Sequence, residues 1–175
     1  IITAGGGGAV VSSNKNIIKK IKFWSTQSKS DPFNYLHNEI GFNYRLSNLQ
    51  AAVGLSQLKR LKKIISQKKA LRKITEKALE KKGFELYELP PYSDNNCWLF
   101  VMKCKSKERK NLLKTLNKKN VMARPVWGLC HNQKYTKHFQ NFEIDVSKKL
   151  VNESICLPSS YSLTEEQINF YTNLL

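Results

Sequence analysis

The sequence predicts an α/β protein in which a long helix leads into a small α/β domain. Three observations carry this reading. A helical pattern opens at Ser47 and is stopped only at Gly83. Beyond Gly83, apolar strand-like runs alternate with capped helical ones, the signature of layered α/β packing. The chain has 175 residues and is 41% hydrophobic, enough for a packed core, and no apolar run reaches the ~18 residues of a membrane helix. The expected organisation is residues 1–46, a connecting helix over 47–82, and a C-terminal domain over 83–175.

Each element follows from local chemistry. Ile1–Ala4 and Ala9–Ser13 are short apolar stretches around Gly5–Gly8, which predicts two strands joined by a glycine hairpin. Asn14 is placed to cap a helix whose apolar positions are Ile17, Ile18, Ile21 and Trp24. Ser25–Asn38 is polar, contains Asp31-Pro32, and reads as a loop. Ser47 with Gln50 is a capping box, and it opens the long helix. Leu49, Ala52, Val53, Leu58, Leu61, Ile65, Ile74 and Ala78 are its expected buried side. At ~1.5 Å per residue such a helix spans roughly 50 Å, long enough to cross between two domains. Cys97–Cys104 then reads as a continuous strand, Ser106 as the cap of a helix reaching Lys119, and Val121–Arg124 as a strand stopped by Pro125. Ser147–Ser154 reads as helix, Ile155–Leu157 as a short strand, and Thr164 as the cap of a last helix with Glu165, Glu166 and Gln167 in its first turn.

Composition narrows the function. The net charge is +17 and only five of thirty basic residues are arginine: Arg45, Arg60, Arg72, Arg109 and Arg124. Arginine is the better reader of bases and phosphates, so scattered lysines favour a basic surface over a nucleic-acid interface. A positive field would still attract a polyanionic small substrate. Cys97, Cys104, Cys130 and Cys156 have no zinc spacing, and His37, His131 and His138 none with one another. Free, mostly buried thiols point to a reducing cytoplasm. The glycine-rich start, with no basic leader before it, reads as an interior segment of a longer protein.

Two segments carry candidate chemistry. Gly41–Gly54 sets Asn43, Tyr44 and Arg45 just before a helix start, where free N–H groups favour an anion. Ala123–Trp127 ends a strand with an arginine, a rigid turn and a large ring, followed by His131 and Tyr135. Arg124 could pair a diphosphate and Trp127 stack on a sugar or base. The residues alone leave both open, since an incidental arginine at a helix entry and a tryptophan filling a core gap fit equally well. The glycine run is neither a P-loop nor a dinucleotide fingerprint.

A family resemblance adds to this. Ile1–Ala9 resembles the stretch that follows the cofactor lysine in the DegT/DnrJ/EryC1/StrS sugar aminotransferases. Gly41–Gly54 resembles their G-x-N-Y-R-x-x-x-x-x-A-A-x-G block. Asn96-Cys97-Trp98-Leu99 resembles N-Y-W-L with cysteine for tyrosine, Ala123–Trp127 resembles R-P-x-W, and Leu157–Ser160 resembles L-P-S-S. The last two are most similar to the branch making 4-amino sugars for bacillosamine and legionaminic acid. The resemblance implies the C-terminal part of a fold-type-I transferase, with residues 1–46 a remnant of its large cofactor domain. It implies pyridoxal phosphate as cofactor, glutamate as amino donor, a nucleotide-linked 4-keto-6-deoxy sugar as acceptor, and a homodimer with shared sites. Asn43 would reach the cofactor phosphate held by the partner subunit. Arg45, Arg124, Trp127 and His131 would lie on the substrate side. The catalytic lysine would sit directly before Ile1, so these 175 residues supply no catalytic group and are expected to be inactive alone.

Two other functions stay in view. In some similar proteins histidine replaces the lysine and the reaction becomes a sugar dehydration. A basic nucleic-acid-binding or regulatory protein would instead show a salt-dependent shift of duplex DNA.

Overall fold

The computed structural model describes residues 1–31 and 33–175; Pro32, in the expected polar loop, lies outside the described residues. The chain divides inside its long helix into two compact units, Ile2–Leu61 and Lys62–Leu175.

In the first unit, helix α1 (Lys15–Ser25) starts where Asn14 dictates, its side-chain oxygen accepting from the backbone N–H groups of Asn16 and Ile17 at 3.0 and 3.3 Å. The segment expected to be a plain loop holds a small antiparallel ladder, β1 (Lys29–Asp31) with β2 (Leu36–His37), irregular in register. The expected glycine hairpin does not form: Ile1–Ala4 and Ala9–Ser13 carry no ladder. Gly7, at φ 99°, instead packs so close to Leu46 that a Cβ would come within 2.4 Å, and Gly6 does the same to Gln50 at 2.8 Å. Gly6 and Gly7 thus lie against the side-chain ends of Gln50 and Leu46 at the helix entry, whereas an isolated two-stranded hairpin is marginal at best.

Helix α2 (Asn48–Glu80) opens on the expected capping box, with Ser47 Oγ accepting from the Gln50 N–H at 3.3 Å and Gln50 Oε1 accepting from the Ser47 N–H at 3.1 Å. It stops two residues short of the expected Lys82, and Gly83 (φ 76°) provides the left-handed turn that ends it. Its buried side matches the expected one only toward the end, where Ala78 is buried and Ile74 packs against the core. Ile64, Lys68, Leu71, Arg72, Thr75, Ala78 and Leu79 are buried, whereas Leu49, Val53 and Leu58 are exposed. Two cations sit in a row that apolar periodicity alone would never select.

The second unit builds a three-stranded antiparallel sheet in the order β3 (Phe100–Lys103), β5 (Ser154–Leu157), β4 (Arg124–Pro125). Strand β3 is shorter than the expected Cys97–Cys104, because Cys97 is left-handed (φ 54°) and cannot continue a ladder. Strand β4 contains Pro125 rather than stopping at it, and begins later than expected; as an edge strand it tolerates a residue without N–H. Helices α3 (Ser106–Lys118), α4 (Asp145–Asn152) and α5 (Glu165–Thr172) complete the unit. Lys105, not Ser106, occupies the N-cap of α3, with no side-chain cap bond. Helix α4 starts and ends earlier than Ser147–Ser154, since Ser154 belongs to β5. Thr164 forms a full capping box with Gln167 on α5. The core joins Leu71 and Leu79 of α2 to Phe100, Met102, Leu116, Ile155, Leu157, Ile168 and Tyr171.

Cys97 and Cys156 are buried, Cys104 is half-buried and Cys130 is exposed. Burial pushes the thiols of Cys104 and Cys156 above their ordinary range, which leaves less reactive thiolate. Iodoacetamide at neutral pH should therefore modify Cys130 first in the native protein. Equal labelling of Cys156 and Cys130 by mass spectrometry would contradict this packing.

Candidate functional site

The first unit presents Asn43 and Arg45 on one cavity. The peptide from Gly41 to Tyr44 is tied across the end of α1: Phe42 N–H donates to Trp24 O at 2.7 Å, Gln27 N–H to Phe42 O at 3.0 Å, and Tyr44 N–H to Ser25 O at 3.0 Å. Gly41 makes this approach possible, since a Cβ there would lie 2.4 Å from the Gln27–Ser28 backbone. Glu39 anchors the same segment, accepting from Lys20 and from the Trp24 indole N–H; these bonds hold its carboxyl below the usual range.

The cavity so framed measures about 740 Å³. Asn43, Tyr44, Arg45, Ser25, Gln50 and the backbone of Gly7 and Gly8 line it beside the apolar Ile18 and Ile21. No carboxylate is among these lining residues. The Asn43 amide and the Arg45 guanidinium have no hydrogen-bond partner among the described side chains, and both are exposed. A wall of amide, guanidinium and glycine N–H donors without an acid suits an anion such as a phosphate. The lining therefore fits the phosphate end of pyridoxal phosphate.

The second unit holds the other expected site residues. Arg124, on β4, reaches only the Met122 sulfur at 3.4 Å and has no ion-pair partner among the described residues. Trp127 is exposed and lies against Trp98, ring centroids 5.4 Å apart and planes at 35°. The core-filling reading of Trp127 is thereby excluded. His131 lies in a 3₁₀ turn (Cys130–Asn132), and its Nε2 is buried without a partner among the described residues. So Asn43 with Arg45 form one constellation, and Trp127 joins Trp98. Sequence reasoning gave Trp98, Gln50 and Ser25 no site role; Trp98 could have been found from its place in the N-x-W-L block, the others only from contacts. A further cavity of about 470 Å³ is lined by residues of both charge signs, among which Lys69 pairs with Asp94 and Arg72 with Glu76 at 2.8 Å, while Lys73 and Glu88 have no ion-pair partner among the described residues. Among the described residues no group of three or more potential metal ligands occurs, and no helix is long and apolar enough to cross a membrane.

Comparison with known proteins gives this geometry a family. Residues 1–173 match the model of the DegT/DnrJ/EryC1/StrS aminotransferase family. Bacillus subtilis EpsN, which carries the assignment pyridoxal phosphate-dependent aminotransferase, is 32% identical over 174 residues, covering 95% of this chain and 45% of EpsN. The GDP-perosamine synthase of Escherichia coli O157:H7 is 30% identical over 173 residues, covering 95% of this chain and 46% of that protein. The structure of Helicobacter pylori PseC, an aminotransferase involved in the biosynthesis of pseudoaminic acid, superposes with a TM-score of 0.77 at 20% identity, over 94% of this chain and 46% of PseC, a likeness of fold. The chain thus spans about half the length of the curated relatives it matches. The expected α/β fold, part of a fold-type-I transferase, stands with these neighbours, as does pyridoxal phosphate as the cofactor of the family. The chain belongs to the DegT/DnrJ/EryC1/StrS aminotransferase family.

Proposed function

We propose that the protein containing this chain moves an amino group from glutamate to the keto carbon of a nucleotide-linked 4-keto-6-deoxy sugar. The carboxylate-free wall of the Asn43–Arg45 cavity, with its guanidinium and amide groups, is the observation that carries this reading, together with the family match. The name of the GDP-perosamine synthase supports a nucleotide diphosphate sugar as substrate. When bound, pyridoxal phosphate supplies the electron sink for amino-group transfer. The chain's own contribution is binding and orientation. Asn43 donates its amide to the cofactor phosphate, in the site of a partner subunit of a homodimer. Arg45 and Arg124 offer guanidinium forks to substrate anions, Trp127 a ring face, and His131 a ring nitrogen. The net charge of +17 draws a polyanionic substrate from solution. Residues 1–46 belong to the large cofactor domain, 47–82 to the connecting helix and 83–175 to the small domain, in a cytoplasmic enzyme of 4-amino-sugar formation.

The test uses a protein of the relatives' length carrying these residues, with lysine directly before Ile1. Given glutamate and a GDP- or UDP-linked 4-keto-6-deoxyhexose, it should release 2-oxoglutarate in step with the amino sugar. Loss of a sugar hydroxyl, with no amino group on the product, would mean the dehydratase reading is right.

A further inference from the structure

Trp98 and Trp127 are 55% and 65% exposed, yet they lie against each other. They come from different parts of the second unit: Trp98 stands two residues before β3, Trp127 two residues after β4. Leaving two adjacent indoles in water forfeits much of the burial energy that tryptophan usually supplies. Their support is built with care. The Trp98 carbonyl accepts from Ser159 Oγ at 2.8 Å, and its N–H donates to Asn96 Oδ1 at 3.0 Å. The preceding Cys97 is buried and left-handed, with its N–H on Asn95 Oδ1 at 2.6 Å. Ser159 in turn accepts at its own carbonyl from Lys68 Nζ.

Lys68 is only 5% exposed and has no carboxylate partner among the described residues. Its ammonium lies over the Phe100 ring, 5.6 Å from the centroid. Burial lowers its pKa, against a smaller opposing influence from Cys97. A buried cation without a counter-ion is costly to keep. Here it holds the turn that holds Trp98.

We propose that Trp98 and Trp127 form a stacking subsite for the ring face of a nucleotide-linked sugar, with Lys68 acting through Ser159 as its positioning residue. This rests on the substrate class proposed above. An exposed indole face accepts either the π-face of a base or the C–H face of a pyranose. Arg124, on the strand leading to Trp127, carries a guanidinium with no acid beside it, which matches an anionic ligand rather than a neutral apolar one.

The 175-residue chain is titrated with GDP and with GDP-mannose while tryptophan fluorescence is followed. Saturable quenching by GDP assigns the ring to the base. Quenching by GDP-mannose alone assigns it to the sugar. In either case Trp98→Leu and Trp127→Leu should abolish the effect. No saturable quenching by either ligand up to about 10 mM, a Kd limit near 3 kcal/mol of binding, overturns the subsite, as does quenching that survives in both variants. Binding without amino transfer in the longer protein would leave the subsite standing and remove the proposed reaction; transfer without quenching would do the reverse. For Lys68 the readout is the exciton circular-dichroism couplet of the two indoles. Lys68→Met should erase it and weaken the ligand about tenfold, the size of one lost charged hydrogen bond, while Lys68→Arg restores much of both. A folded Lys68→Met protein with couplet and affinity intact overturns the positioning role. If Lys68→Met does not fold, Ser159→Ala decides the matter: a retained couplet overturns the link, a lost one supports it.

Discussion

Phe100→Ala should destabilise the 175-residue chain by roughly 3–5 kcal/mol, the range for removing a fully buried phenylalanine. Phe100 is completely buried on β3, pairs with Leu157 in the ladder, and belongs to the cluster joining α2 to the sheet. Its loss leaves a cavity and also removes the ring beneath the Lys68 ammonium. The matched control is Leu49→Ala on the exposed start of α2, where the side chain is 80% exposed. That change should cost less than about 0.5 kcal/mol. Urea denaturation of both variants checks the contrast through their midpoints. Similar losses for the two would mean that α2 buries a different face.

Asn43→Ala, in a protein of the relatives' length, should weaken pyridoxal phosphate binding by about ten- to a hundredfold. Loss of one hydrogen bond to an anion is worth roughly 1.5–3 kcal/mol, which converts to that range. Asn43 is held by the ladder-like contact with Thr26, and it lines a cavity that has no carboxylate among its lining residues. Arg124→Ala lies in the other compact unit and should raise the substrate KM instead. Equilibrium dialysis of the cofactor separates the two; a larger cofactor loss from Arg124→Ala would reject the assignment. Mixing subunits adds a second readout. If Asn43 serves the partner's site, pairing Asn43→Ala subunits with subunits lacking the cofactor lysine yields one complete site per heterodimer, and up to half the normal activity returns. If Asn43 serves its own chain, both heterodimer sites carry a defect and mixing rescues nothing.

By itself the sequence determined what local chemistry controls. Asn14, the Ser47–Gln50 pair and the Thr164–Gln167 pair each satisfy orphan N–H groups within a single turn, so their helix starts are readable without knowing what packs on them. Gly83 ends α2 for an equally local reason, its positive φ. The blocks around Asn43, Trp98, Trp127 and Ser159 were legible as a family pattern, which the match over residues 1–173 bears out. Only the tertiary structure decided which side of α2 is buried. Apolar periodicity correctly chose Ala78 and Ile74 near the end of the helix, but it also chose Leu49, Val53 and Leu58, which are exposed, and missed Ile64, Lys68, Leu71 and Arg72, which are buried. Lys68 can go inside because the distant Ser159 carbonyl accepts a hydrogen bond from it, and Arg72 because the Tyr87 carbonyl and the Glu76 carboxylate both accept from its guanidinium. The glycine run likewise chose the helix entry over a hairpin, because Leu46 and Gln50 lie against it. Both outcomes hinge on partners far along the chain or across a tight contact, and the free energy of a buried charge or a missing Cβ depends on those partners rather than on the residue's neighbours in sequence.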